Sequence, residues 1–231
     1  MSIVFNEVDK TFTIETKRTT YQMQVDKFGF LLHLYYGKKL SGCMDYLLTY
    51  ADRGFSGNPY AASLDRTYSM DVLPQEYPTY GTGDYRNTAM IIRNADGTFD
   101  FDPRFKKYEI LDGKYSLEGF PSVYADEEDA QTLKIYMEDP ASKVQLTLYY
   151  GVLPEIDIIT RAVVVTNGGI GKLDVRRAMS ACLDFNPGRR DMMTFYGRHC
   201  MERQVERTEI KHGVHMIGSR RGTSSHQYNP L

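Results

Sequence analysis

A strict two-residue hydrophobic period constrains this chain more than any other feature. Residues 143–150 read KVQLTLYY, with Val144, Leu146, Leu148 and Tyr150 on one side and Gln145, Thr147 and Tyr149 on the other. Successive side chains of a strand point to opposite faces, so this pattern predicts a half-buried β-strand. Residues 131–138 behave alike, with Leu133, Ile135 and Met137 inward and Thr132, Lys134 and Tyr136 outward. Residues 155–166 are richer in β-branched types, among them Ile156, Ile158, Thr160, Val163, Val164 and Val165. That composition predicts a central strand with both faces largely covered.

Turn chemistry separates the runs. Asn94-Ala95-Asp96-Gly97, Asp112-Gly113 and Asn167-Gly168-Gly169 each follow an apolar run. Glycine takes positive φ cheaply and Asn or Asp tolerates it, so each site predicts a hairpin. Residues 173–185 (LDVRRAMSACLDF) fit either period, and the absence of a capping box favours a strand. Residues 201–210 alternate charged with polar or apolar residues and predict a strand with an exposed face. Many short strands with regular turns predict an all-β fold: a large two-sheet antiparallel β-sandwich carrying one long ordered loop. No internal repeat and no composition break divides residues 1–231, so a single domain is expected.

Composition narrows the function. The formal net charge is -2 and the basic runs are only pairs, which speaks against a nucleic-acid binder. No apolar run approaches the ~18 residues of a membrane span, and the first residues, MSIVFNEVDKTF, carry no secretory pattern. Cys43, Cys182 and Cys200 are odd in number and widely spaced, with no CxxC pair. They predict free thiols in a reducing, cytoplasmic setting and no cysteine-held zinc, each filling space as a small buried residue. His212 and His215 fall on opposite faces of a strand, so no metal is expected from the histidines. No cofactor is expected either: Gly81-Thr82-Gly83-Asp84 lacks the Lys-Ser/Thr and the helix of a phosphate loop, and no GxSxG elbow exists.

Residues 52–86 hold neither a sustained alternation nor a helical stripe, yet they carry Phe55, Tyr60, Tyr68, Tyr77, Tyr80 and Tyr85. Disordered chain is poor in aromatics, and a compact domain rarely keeps so long an irregular segment without a use for it. An ordered functional loop is therefore predicted. Its acids, Asp52, Asp65, Asp71, Glu76 and Asp84, permit a glycosidase-like pair, but such a pair must sit about 5 Å or about 6.5–9.5 Å apart, which spacing along a chain cannot establish. The plainer expectation pairs Asp52 with Arg53, Asp65 with Arg66 and Asp84 with Arg86. The rings could face a sugar, a protein partner or the loop's own scaffold.

These segments together resemble the N-terminal domain of glycoside hydrolase family 36, the microbial α-galactosidases. Residues 52–59 (DRGFSGNP) resemble the family's DRxFSxNP, residues 69–78 (SMDVLPQEYP) its SLDTLPQEYP, and residues 81–86 (GTGDYR) its GTGDFR. Residues 157–161 (DIITR), 180–184 (SACLD) and 218–227 (GSRRGTSSHQ) resemble DVITR, SACLD and GSRRGxSSHQ. The likeness runs in order along essentially the whole chain. Met70, Val72 and Tyr85 depart from the family's commoner Leu, Thr and Phe.

The resemblance implies a β-supersandwich preceding a (β/α)8 barrel and a smaller C-terminal β domain. It implies that the nucleophile and acid are aspartates of that barrel, beyond Leu231. This sequence has no tryptophan and no KWDxN-like motif, so no catalytic residue is expected in it, and the chain alone should be inactive. Family members are often tetramers in which this loop reaches a neighbour's active-site mouth. Carried over, Asp52, Arg53, Phe55, Asn58 and Arg66 are the expected substrate-binding residues, facing α-galactoside oligosaccharides of the raffinose type. Arginine offers a fork of donors, Asn58 a donor and an acceptor, and Phe55 an apolar wall. A stand-alone carbohydrate-binding module and a purely structural interaction domain remain as other readings.

Overall fold

A computed structural model describes residues 2–52, 54, 57–120, 122–185, 188–220 and 225–227. The chain forms two compact units, Met1–Phe185 and Asn186–Leu231. Among the described residues the fold is all-β, and every pair of named strands is antiparallel.

In the first unit, β1 (Ile3–Asn6), β2 (Thr11–Glu15), β3 (Thr19–Val25) and β4 (Leu31–Lys38) form a four-stranded meander. A second meander joins β6 (Arg104–Asp112), β7 (Gln131–Glu138), β8 (Val144–Leu153) and β9 (Ile158–Asn167) in that order. One core fills the space between them. Ile3, Phe12, Ile14, Tyr21 and Met23 come from the first sheet, and Leu133, Ile135, Leu146, Leu148 and Tyr150 from the second. This is the expected sandwich. Two-sided patterning in each meander leaves one apolar face per sheet, and burying the two against each other removes both from water. A short ribbon of β5 (Met90–Arg93) and β10 (Asp174–Ala178) adds Met90 and Ile92 to the same core.

Local chemistry turns the chain between strands. Asp26 Oδ1 accepts from the amides of Phe28 (2.9 Å) and Phe30 (2.8 Å) around Gly29, whose φ is 85°. Asp139 Oδ1 does the same for Ala141 at 2.8 Å between β7 and β8. Short polar side chains satisfy the turn's backbone donors, which is why Asp recurs there.

The alternation of β7 and β8 is realised: Val144, Leu146, Leu148, Tyr150, Leu133, Ile135 and Met137 are all buried. Thr132 and Thr147 depart from the alternation and are buried; the Thr132 hydroxyl donates to the Gly113 carbonyl and accepts from the Tyr115 amide, both at 2.8 Å. Residues 155–166 correct the expectation more sharply. Pro154–Ile156 form a 3-10 turn, Asp157 is left-handed, and β9 lies at the edge of its sheet rather than in the centre.

None of the three sites makes the expected tight hairpin, and only the first is a hydrogen-bonded turn. Asn94 bonds the amide of Gly97 (3.0 Å) and the carbonyl of Thr98 (2.8 Å), yet no strand follows before β6. The strand that meets β6 is β7, reached through residues 113–130, and β10 leaves β9 to pair with β5. Turn residues fix a local reversal, whereas the pairing partner is chosen by which sheet can bury the next apolar run. Residues 173–185 are strand only over Asp174–Ala178.

The second unit holds a ribbon of β11 (Asp191–Arg198) and β12 (Met201–Glu209). The expected strand is present as β12, but it is exposed on both faces rather than one: only Glu202 and Thr208 are half-buried. Cys43, Cys182 and Cys200 are free thiols, but none is fully buried as expected: Cys43 and Cys182 are half-buried, and Cys200 is exposed at the ribbon's tip.

Leu146 is fully buried between the sheets. Leu146→Ala should cost about 2–5 kcal/mol by lost transfer and cavity terms, read as a lower urea midpoint with unchanged m-value.

Candidate functional site

The long loop divides sharply in two. Of the described residues from 52 to 67, only Ala62 is buried, whereas most from 68 to 84 are. The buried half is a base and the exposed half a tip.

The base is held like an extra strand along β4. The His33 amide donates to the Pro74 carbonyl at 2.7 Å and the Glu76 amide to the Leu31 carbonyl at 2.9 Å, with Leu32 and Gln75 bridged between them. Under it lies a second apolar cluster of Phe30, Leu32, Ala62, Tyr68, Met70 and Leu73. The Tyr68 hydroxyl donates to Asp26 Oδ2, which couples the base to the β3–β4 turn. Gly81 (φ 97°) passes so close to Asp100 that a Cβ there would lie 2.8 Å from its backbone.

At the centre of the base stands Glu76, whose side chain is completely buried. Its carboxylate accepts from Tyr21 Oη (2.6 and 2.8 Å) and Tyr150 Oη (2.7 Å) and pairs with Arg161 Nη2 at 2.6 Å. His33 Nδ1 lies 3.1 Å away, and since a carboxylate only accepts, this nitrogen donates. Burial pushes the Glu76 carboxyl up, but Arg161, His33 and Tyr21 outweigh it and hold the group below the ordinary range. Burial and the neighbouring carboxylate push the Tyr21 and Tyr150 hydroxyls well up, so both stay protonated donors. Arg161 also donates to the Cys182 carbonyl at 2.7 Å, reaching the SACLD segment. Alternation places Tyr150 inward, but nothing local in the sequence marks Tyr21, His33 or the Glu76–Arg161 pair as one buried network.

A second polar node closes the base. Asp84 accepts from Gln75 Nε2 (2.9 Å) and chelates Arg86 through Nε (2.9 Å) and Nη2 (2.8 Å). Arg86 Nη2 continues to the carbonyls of Met70 (3.2 Å) and Leu73 (2.8 Å). The expected Asp84–Arg86 pair is thus present and braces the loop.

The tip gathers the predicted site residues. Asp52 Oδ1 accepts from the Gly54 amide at 2.8 Å and lies 3.2 Å from Arg66 Nη2. Asn58 Nδ2 donates to the Asp65 carbonyl at 2.8 Å, so Asp52, Asn58 and Arg66 are drawn together. Asp65 is not Arg66's partner. It binds the Thr67 hydroxyl (2.6 Å) and amide (3.0 Å), and these bonds hold its carboxyl below the usual value, with Lys27 at 3.7 Å. Arg53 and Phe55, and with them the expected Asp52–Arg53 pair, lie outside the described residues. Among the rings, Tyr68 and Tyr77 belong to the core, while Tyr60, Tyr80 and Tyr85 are exposed. The Tyr77 hydroxyl is pushed up to about 12 by burial.

Gly57 and Gly83 tie tip to base. Gly83 has φ 88°, and a Cβ on it would come within 3.1 Å of the Gly57 carbonyl. No group of His, Cys, Asp and Glu among the described residues could hold a metal ion. The loop's acids are paired or capped within the loop and its scaffold.

The fold is a β-sandwich that clamps a long loop at its base and carries Asp52, Asn58 and Arg66 at the loop's tip. The glycosyl hydrolase family 36 N-terminal domain matches residues 29–231. The chain is 59% identical over 230 residues to the bifunctional alpha-galactosidase/sucrose kinase of Mediterraneibacter gnavus, covering 100% of this chain and 25% of that protein. It is 38% identical to an alpha-galactosidase of Lactobacillus acidophilus, covering 99% of this chain and 31% of that one. Among solved structures, the galactosidase domain of an alpha-galactosidase-sucrose kinase superposes with TM-score 0.94 at 59% identity, over 99% of this chain and 32% of the other. An alpha-galactosidase variant of Geobacillus stearothermophilus in complex with raffinose gives 0.85 at 34% identity, over 96% and 31%. The chain belongs to glycoside hydrolase family 36, as its N-terminal domain. It spans about a quarter to a third of the length of these relatives.

Three outcomes are expected. Arg161→Met leaves Glu76 buried without its cation and should cost about 3–5 kcal/mol in denaturant unfolding. Because the folded carboxyl sits below its ordinary value of 4.5, the contribution of Glu76 is present above that pH and is lost as pH falls through the folded value. Acid titrations of stability should therefore fall less steeply below about pH 4.5 in Glu76→Gln than in the wild type. Separately, Gly81→Ala should destabilise the loop by more than about 1 kcal/mol, since neither the positive φ nor the approach to Asp100 admits a Cβ. Faster proteolytic nicking within residues 52–86 would report it.

Proposed function

We propose that this chain is the N-terminal domain of a retaining α-galactosidase that removes terminal α-galactosyl residues from raffinose-type oligosaccharides. The observation that carries the reading is the match of nearly the whole chain to alpha-galactosidases at up to 59% identity. Solved structures of related alpha-galactosidases hold raffinose and stachyose, which supports the substrate class.

In this reading the reacting aspartates belong to a barrel outside these 231 residues, and the domain scaffolds the enzyme and shapes its substrate mouth. The tip residues Asp52, Arg53, Phe55, Asn58 and Arg66 supply the contact. Asp52 fixes one face of the Arg66 guanidinium, leaving its other N–H groups for sugar hydroxyls. The buried base spares the tip the entropy of ordering on each binding event. We assign the tip to the mouth of a neighbouring subunit in a homotetramer, which makes the site composite.

The test uses the longer gene product. Arg66→Ala and Phe55→Ala should raise KM for raffinose about tenfold, roughly 1.4 kcal/mol, with kcat for an aryl α-galactoside within about twofold of wild type. Unchanged KM for both variants would reduce the loop to a structural element. Turnover by the 231-residue chain alone would place the chemistry here instead. Heat on titrating that chain with millimolar raffinose would identify a self-sufficient binding module.

A further inference from the structure

Among its described residues the long loop exposes three tyrosine rings, and they are held in different ways. Tyr60 stands fully in solvent on a 3-10 turn. Tyr80 leans edge-on against Phe99, with ring centroids 6.2 Å apart. Tyr85 is 79% exposed, yet the backbone on either side of it is anchored. Its own amide donates to Asp71 Oδ1 at 3.1 Å. Before it, Asp84 is buried and accepts from Gln75 Nε2; after it, Arg86 closes onto Asp84 through Nε and Nη2.

The Tyr85 ring lies against the tip. A Cβ placed on Gly57 would stand 3.2 Å from the Tyr85 hydroxyl oxygen, 3.3 Å from its ring carbon Cε2 and 3.3 Å from the Gly83 carbonyl. Gly57 thus leaves room for a ring that a side chain at that position would crowd. The next residue is Asn58, whose amide reaches the carbonyl of Asp65, just before Arg66. Tyr85 therefore shares one surface with the expected site residues, although it is not among them.

Its hydroxyl sets it apart from the other tyrosines around it. Tyr21, Tyr68, Tyr77 and Tyr150 each donate theirs to an acceptor inside the domain. Among the described residues the Tyr85 hydroxyl has no hydrogen-bond partner. A tyrosine offers an apolar ring face and an oxygen that both donates and accepts, which match the C–H face and the hydroxyls of a sugar. A ring already fixed in place loses less entropy on binding than a free one such as Tyr60.

We propose that Tyr85 is a further specificity-determining residue of the substrate mouth, and that its hydroxyl hydrogen-bonds the glucosyl-fructose portion of raffinose-type substrates. The galactosyl residue must sit at the reacting aspartates, which the proposed function places outside these 231 residues. A group contributed from this loop therefore meets the remainder of the oligosaccharide. The inference rests on the sugar-facing reading of the loop given above.

Steady-state kinetics of Tyr85→Phe in the longer gene product test it, with raffinose set against an aryl α-galactoside, whose leaving group carries no sugar hydroxyl. The substitution removes one oxygen and keeps the ring. For raffinose, kcat/KM should fall about three- to tenfold, the range of one net hydrogen bond, seen as a higher KM, while the aryl substrate stays within about twofold of wild type. An unchanged ratio of raffinose to aryl kcat/KM would overturn the proposal. So would an equal fall on both substrates, which would mark Tyr85 as a brace for the loop or a contact between protein chains. The two readings fail separately. If Arg66→Ala raises KM for raffinose and Tyr85→Phe does not, only the role of Tyr85 is lost; if neither raises it, the sugar-facing role of the loop is lost with it.

Discussion

The arrangement of the first unit depends on one buried carboxylate. Glu76 sits on the loop, yet its four partners come from β3, β4, β8 and β9 of both sheets. A carboxylate stripped of water is costly unless every lone pair is met and a cation stands beside it. Both conditions hold only when the two sheets face each other at their present spacing and the loop base lies across β4. The ion pair therefore acts less as a source of net stability than as a condition on geometry.

That condition explains the division of the loop. From Tyr68 to Asp84 the chain is fixed by apolar packing below and by the Asp84–Arg86 node at its end. The described residues between Asp52 and Thr67, Ala62 apart, are exposed or half-buried and organised by short-range bonds such as Asp52 to Gly54 and Asp65 to Thr67. Binding loops work best as mobile or exposed chemistry on a rigid foundation. Here the foundation is within the same 35-residue stretch, 86 minus 52 plus one.

The acids of the loop illustrate how far residue types alone can mislead. Five carboxylates in one irregular segment invite a catalytic pair, but Glu76 and Asp84 are consumed by buried networks and Asp52 by Arg66. Asp65 caps its own turn, and Asp71 accepts the Tyr85 amide at 3.1 Å. None is left in the apolar, unpaired setting that raises a carboxyl to a useful general-acid value. The structure thus moves interest from the acids to the donors Arg66 and Asn58.

By itself the sequence determined which residues lie on which face of β7 and β8, because a period of two is a property of local backbone geometry. It also determined family membership, through motifs strung in order along the chain. Only the tertiary structure decided which strands pair. The end of β6 at Asp112-Gly113 was legible, but not that β6 would wait 18 residues for β7, since pairing is settled by which sheet can bury the next face. Likewise β9 reads as a central strand by composition and becomes an edge by topology. The Glu76 network was illegible for the same reason: its hydrogen-bond partners Tyr21, His33 and Tyr150 stand 43 to 74 residues away along the chain. Local sequence fixes where a side chain points, whereas what it meets there depends on chain folded in from elsewhere.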